Sequence, residues 1–227
     1  MIVNTPRYFE RALSVIIALA IPPVLVMIGV RLAMTMTFVS FEYHRPDFPP
    51  DFYGFTLDDR LRYAPYALDY LLNGEDIDFL ARLTFPGGSP LFNNRELRHM
   101  RDVKVITEWA FRIAAALGAV LIAASAVLWR RGRWHLRAGV RAGGLLTIIL
   151  IAVIGVLAFV SWDAFFTAFH EVLFEGDSWL FLTSDTLIRL FPEAFWFDAA
   201  IFIGAAAASS ALMLIVIAQL WRPERRI

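Results

Sequence analysis

Four apolar runs constrain this chain more than anything else in it: Ala12–Met34, Ile106–Trp129, Gly139–Ser161 and Asp198–Trp221. Each supplies the roughly 20 mostly apolar residues that a helix needs to cross a bilayer. Hydrophobic residues make up 59% of the 227, and the mean hydropathy is +0.60. That is too apolar for an ordinary soluble domain. The expected fold class is a mainly α membrane protein. It is a four-transmembrane-helix bundle with an extracytoplasmic cap built from two loops, residues 35–105 and 162–197. The whole of 1–227 reads as a single integral membrane domain, with no internal repeat and no Gly/Ser linker.

Arg7 and Arg11 precede the first run, as they would in a signal peptide. A signal peptide's apolar core is only ~7–15 residues long. This run is longer and shows no small-x-small cleavage site, so an uncleaved span is expected. Pro22-Pro23 should kink it, because proline removes a backbone donor and clashes with the preceding turn.

Charge sets the expected orientation. The totals balance, 21 basic against 21 acidic. Residues 1–11, the loop Arg130–Arg141 with its five arginines, and the tail from Arg222 are net positive. The stretch 41–105 has 8 basic and 11 acidic residues, and 162–198 has Arg189 alone against seven acids. Short positive loops stay in the cytoplasm. The expected location is therefore the cytoplasmic membrane, multi-pass, with both termini and the arginine hairpin inside and the cap outside. A short loop between two spans offers little surface for a nucleic-acid groove, so no nucleic-acid partner is expected.

Inside the first cap segment, Pro46, Pro49 and Pro50 give an extended stretch. Thr56 reads as an N-cap, and Leu57, Leu61, Ala64, Leu68, Leu71 and Leu72 recur at helical spacing, predicting a helix over 57–73. Pro65 opposes it, and Asn73-Gly74 ends it. A short helical segment is plausible over 75–83, and Phe85–Pro90 is a turn. Asn93 or Asn94 can cap a helix running through His99 into the second span. In the second cap segment Phe165, Phe166, Phe169, Leu173 and Phe174 form a stripe that should continue the third helix outward. Trp179–Leu182 is a possible strand, and Ser184 or Asp185 can cap a helix ending near Phe191-Pro192. These rings exceed what interfacial anchoring needs and point to a lined pocket.

With no cysteine in the chain there is no disulfide, no thiolate nucleophile and no cysteine metal site. No HExxH spacing, no G-x-S-x-G elbow and no phosphate-binding glycine loop occurs, so neither metal nor cofactor is expected. The small residues from Gly204 to Ala208 look like helix-packing contacts. Charge within the spans sits only at edges, such as Arg31, Glu108 and Arg112, which argues against a transporter. The candidate chemistry lies in His99 and His170, both at a boundary between polar loop and apolar helix. Asp102 follows His99 by three residues, which puts both on one helical face, where the carboxylate can orient the imidazole. Equally, His99 can be an ordinary interfacial residue, with Asp102 paired to Arg98 or Lys104. His170 among phenylalanines is costly unless hydrogen-bonded, and a satisfied structural histidine at a helix end is the other reading. His44 and His135 are expected to be solvated.

At these positions the chain resembles a known family. The run His99-Met100-x-Asp102-Val103-Lys104, the run Phe169-His170-x-x-x-Phe174 followed by Trp179, the segment Leu190-Phe191-Pro192-Glu193, and Tyr53-Gly54-Phe55 are similar to signatures of the bacterial four-helix lipoprotein intramolecular transacylases. The likeness spans nearly the whole chain. It implies an enzyme whose partners are a diacylated bacterial lipoprotein and membrane lipid. Such an enzyme moves the sn-2 acyl chain of the diacylglyceryl group to the α-amine of the lipoprotein's N-terminal cysteine, giving the lyso form. It implies that His99 and His170 are the catalytic residues. Phe165, Phe169, Phe174 and Trp179 are the candidate substrate-binding rings. The chemistry fits the residues: aminolysis of an ester needs a proton removed from nitrogen and one returned to the leaving oxygen, and imidazole titrates near neutrality. Two other readings stay open. A non-catalytic membrane protein would use the cap to bind a partner, and a lipid ester hydrolase would release free fatty acid.

Overall fold

The computed structural model describes residues 7–221, which form nine helices. They are α1 (Arg7–Ala33), α2 (Met36–Tyr43), α3 (Leu57–Leu72), α4 (Asp78–Ala81), α5 (Asn94–Arg131), α6 (Arg133–Val160), α7 (Trp162–Leu173), α8 (Thr186–Leu190) and α9 (Glu193–Leu220). No strand occurs among the described residues beyond one isolated bridge between Thr84 and Pro90. The basic tail from Arg222 lies outside the described residues.

Four helices, α1, α5, α6 and α9, are long and apolar enough to cross a membrane. They match the four predicted runs, but each begins earlier than its run. The 38 residues of α5 extend about 57 Å at 1.5 Å per residue, well beyond a ~30 Å hydrocarbon core. Its first turns carry Arg95, Glu96, Arg98, Arg101, Asp102 and Lys104, so the helix continues past its apolar stretch. Helix α1 runs on through Pro22 and Pro23.

The described chain divides into two compact units. One comprises residues 7–30, 111–156 and 202–221. Its core holds Ile17, Ile21, Ala124, Leu128 and Leu136. Helix α6 meets its neighbours at glycine. A Cβ on Gly139 would stand 2.7 Å from the Ser14 carbonyl oxygen, and one on Gly144 would stand 2.7 Å from the Ile215 side chain. Ala207, within the small-residue stretch predicted in α9, is fully buried, as is Ala211 beyond that stretch, whereas the tighter α6 glycines were not singled out. His135, expected in solvent, pairs with Glu10 at 3.1 Å, because the short turn between α5 and α6 brings it back onto α1.

The other unit comprises residues 31–110 and 157–201. Its first apolar cluster joins α3, α4, α5 and α8 through Tyr63, Tyr70, Leu80, Leu91, Met100 and Leu190. Its second joins α2, α3 and α9 through Phe38, Tyr43, Ala64 and Phe195. Thr56 caps α3 in a reciprocal box with Asp59, and Pro65 is accommodated inside that helix. Buried polar groups tie the loops. Arg60 donates to the carbonyls of Arg189 and Pro49, Arg189 pairs with Asp51 at 2.9 Å, and Tyr43 Oη donates to the Leu190 carbonyl at 2.8 Å. Lys104, the only lysine, is buried and donates to Asn73 Oδ1 and the Glu75 carbonyl, with its ammonium 4.2 Å from the Tyr70 ring centre. These charged tethers add to the packing of the two apolar clusters. His44 is exposed, with Nδ1 2.6 Å from the Ser40 carbonyl oxygen.

Candidate active site

Two elements position the imidazoles. Helix α5 starts at a reciprocal cap: Asn93 Oδ1 accepts from the amides of Arg95 and Glu96, and Glu96 accepts from the amide of Asn93 at 2.7 Å. The second oxygen of Glu96 accepts from the Leu187 amide at 2.6 Å, fixing this turn to α8. His99 follows one turn later and is buried.

The second element is α7. The aromatic stripe was expected to continue the third span, but the helix stops at Val160 and restarts at Trp162. Ser161 takes extended backbone angles, φ −156° and ψ 101°, and its hydroxyl accepts from the Ala164 amide at 3.3 Å. That is an N-cap, and it ends α6 as it begins α7. On α7 the spacing of four builds a ladder of rings: Trp162, Phe166, His170 and, at the C-cap, Phe174. Their successive centroid separations are 5.8, 4.1 and 5.6 Å. His170 Nδ1 lies 2.7 Å from the Phe166 carbonyl oxygen, one turn back.

The chain then reverses at Gly176, whose φ of +70° favours glycine. The returning segment is irregular rather than a strand. It stacks Trp179 on His170 at 5.0 Å and sets Phe181 edge-on to His99 at 5.1 Å. The two imidazoles end 6.3 Å apart, only 23° from parallel, with Phe174 against both.

Protonation follows from these contacts. A carbonyl only accepts, so His170 Nδ1 carries the hydrogen and donates it to Phe166, leaving the Nε2 lone pair free. Burial pushes the His170 pKa below the ordinary histidine value, and the Phe166 carbonyl acts in the opposite direction. The Nδ1 of His99 is buried and has no partner. A buried unpaired N–H is a rarer arrangement than an under-satisfied acceptor, which favours the hydrogen on Nε2. These contacts favour a pair with a lone pair on His170 Nε2 and an N–H on His99 Nε2.

Asp102 does not orient His99 through Nδ1. Its carboxylate accepts from the Ser178 hydroxyl at 3.3 Å and so holds the segment that carries Trp179 and Phe181. Of the predicted rings, Phe169, Phe174 and Trp179 touch His170, whereas Phe165 packs on Trp162. Phe166 and Phe181 were not foreseen as site residues. Phe166 was findable as the residue four before His170; Phe181 lay in the run read as a possible strand. No group of three or more His, Cys, Asp or Glu side chains suited to a metal occurs among the described residues.

The sequence model of Lit, lipoprotein intramolecular transacylase, matches residues 15–196, which contain the whole constellation. The chain belongs to the Lit family. It is thus an integral, multi-pass membrane acyltransferase of the intramolecular kind. An uncharacterized protein of Aquifex aeolicus is 29% identical over 196 residues, covering 86% of this chain and 87% of its own. The fold matches the membrane integral lipoprotein intramolecular transacylase Lit of Bacillus cereus, with TM-score 0.75 and 18% identity over 95% of this chain and 96% of that one. A form of that protein with one histidine changed to alanine matches at 0.74, with 20% identity over 94% of each chain.

Proposed function

We propose that this Lit-family enzyme carries the sn-2 acyl chain of a diacylated lipoprotein from the glyceryl oxygen to the α-amine of the N-terminal cysteine, with His99 and His170 as its catalytic pair. The observation that carries the reading is the placing of the two imidazoles, 6.3 Å apart, with His170 Nδ1 at the Phe166 carbonyl and His99 Nδ1 unpaired; the tautomers that these contacts favour leave a lone pair on His170 Nε2 and an N–H on His99 Nε2. The neutral amine attacks the ester carbonyl carbon, and the new C–N bond leaves an oxyanion and a cationic nitrogen. His99 Nε2–H donates to the oxyanion. His170 Nε2 takes the proton from nitrogen. As the C–O bond to glycerol breaks, the same proton returns to the departing oxygen, and His170 is neutral again.

Donor and acceptor belong to one substrate molecule, so no acyl-enzyme is needed. The protein's contribution is to hold amine and ester together, an entropic advantage of up to roughly 7–11 kcal/mol in favourable cases. Phe169, Phe174 and Trp179 support this by enclosing His170 and excluding the water that would divert acyl transfer to hydrolysis. The arginines between α5 and α6 favour an arrangement with that loop and the termini in the cytoplasm and the imidazoles on the extracytoplasmic side, where lipoproteins are displayed.

Mass spectrometry of a diacylated lipopeptide incubated with wild-type protein, His99→Ala and His170→Ala tests this. The expected result is an acyl group on the cysteine nitrogen with wild type, lost by about 10²-fold or more in both folded variants. Released fatty acid would instead make the protein a lipid ester hydrolase. Full activity in either variant would remove that histidine from the mechanism.

A further inference from the structure

A cleft of about 510 Å³ is lined by Arg95, Arg98, Asp177, Ser178 and Leu180. The proposed acyl transfer does not use it. The cleft shares its chain segments with the site: Arg98 precedes His99, Ser178 precedes Trp179, and Leu180 precedes Phe181. Arg95 lies one helical turn before His99 on the same face. Its volume falls within the range of small-ligand sites.

The walls carry both hydrogen-bond senses. Arg98 is exposed, and its guanidinium offers only donors. Arg95 is held at Nη2 by Asp185, yet its Nε is buried and has no partner. That Nε is sealed from the cleft, so the donors Arg95 offers a ligand belong to the exposed part of its guanidinium, the side chain being 38% exposed. Asp177, exposed in the same cleft, offers only acceptors. A phosphate would meet two guanidiniums but also a repelling carboxylate. A peptide main chain alternates carbonyl and N–H and suits both walls.

We infer that this cleft holds the peptide segment that follows the reacting cysteine, with Arg95 and Arg98 donating to its main-chain carbonyl oxygens and Asp177 accepting from its amides. The inference rests on the transacylase reading above. With the α-amine at the imidazoles, the peptide has to leave the site on a polar path, and this cleft, lined by the chain neighbours of His99 and Trp179, provides one. It makes the enzyme a reader of the lipoprotein's backbone immediately after its lipid, independent of side-chain identity.

The test uses the full chain in detergent micelles with two substrates, a diacylated lipopeptide and the corresponding diacylglyceryl-cysteine amide with no peptide. Wild type should prefer the lipopeptide in kcat/KM. In Arg98→Ala that preference falls about tenfold, through KM rather than kcat, as expected for loss of one charge-assisted hydrogen bond. Leu180→Trp, which fills the cleft without touching a charge, should lower the same preference. Equal losses on both substrates, or an unchanged preference in both variants, would overturn the inference. So would a loss seen only when anionic phospholipid is added, which would mark the cleft as a headgroup site. Wild-type protein that acylates neither substrate would overturn the transacylase reading itself.

Discussion

In the unit formed by residues 7–30, 111–156 and 202–221, helices approach until a methyl group would not fit between them. Gly139, Gly143 and Gly144 each leave under 3 Å for an added Cβ. Outside a small core, many of its large side chains turn outward: Ile113, Ile122, Ile149, Val153 and Met213 are all more than half exposed. In the unit of residues 31–110 and 157–201 the arrangement is reversed. Large rings fill the interior, and charged groups such as Glu96, Arg60 and Lys104 are buried with partners. The difference reflects two solvents. Lipid tails are as apolar as leucine, so hiding a leucine from them gains little, and close backbone packing has to hold the helices. Where water is the alternative, burying apolar area is the driving force, and every polar group buried with it needs a partner. The imidazoles belong to the second unit, where His170 is partly buried against Phe166, Phe169, Phe174 and Trp179.

That contrast predicts opposite sensitivities. The largest stability loss is expected where a large side chain is removed from the aromatic unit. Leu80 is fully buried, and Leu80→Ala should cost about 2–5 kcal/mol. In the other unit the damaging change is an addition. Gly139→Val pushes against the Ser14 carbonyl, which is backbone and yields little, and should cost about 1–3 kcal/mol. Val153→Ala, on an outward face, should cost far less than either. Thermal unfolding in one detergent compares all three. If Gly139→Val melted with wild type while Val153→Ala did not, close backbone approach would not be what holds that unit.

A subtler effect tests the dryness of the aromatic unit. Burial lowers the His170 pKa, so the ring stays neutral, and able to accept a proton, into more acidic solution than an ordinary histidine would. Loss of the base should therefore set in only below the usual histidine range near 6.5, a step apart from protonation of the substrate α-amine at about 8. Trp179→Ala uncovers one face of the ring and relieves the desolvation, so the acidic limb of kcat/KM against pH should move upward. A limb that stays in place would mean that Trp179 does not keep water from His170.

Much of this was legible in the sequence, and the part that was not has a common cause. Four apolar runs fixed the long helices, Thr56 and Asn93 fixed two caps, and both histidines were visible at polar–apolar boundaries. Patterns within one segment sufficed for these. The break at Ser161 was hidden because a single N-cap serine inside a continuous apolar stretch leaves hydropathy unchanged. The α6 glycines were overlooked because glycine signals close approach only once the opposing backbone is known. Phe181 and Ser178 reach the site through a reversal at Gly176, and a three-residue turn does not reveal which helix the returning chain will meet.

Asp102 shows what that reversal changes. Spacing alone put it on the His99 face and offered it as the imidazole's orienter, yet its partner is Ser178. A role in orienting His99 directly and a role in holding the Trp179 segment predict different energetics. If the carboxylate acts only by fixing the segment, Asp102→Ala and Ser178→Ala remove the same hydrogen bond. Each should then cost about 0.5–1.5 kcal/mol of stability and a few-fold in kcat. The double variant should be no worse than either single one, the mark of a shared interaction in a double-mutant cycle. Asp102→Asn keeps an acceptor for the serine hydroxyl and should restore most of the activity. If Asp102→Ala were far more damaging than Ser178→Ala, and Asp102→Asn equally so, the negative charge would be acting on the imidazole after all. Holding the loop would then be the lesser of its two tasks.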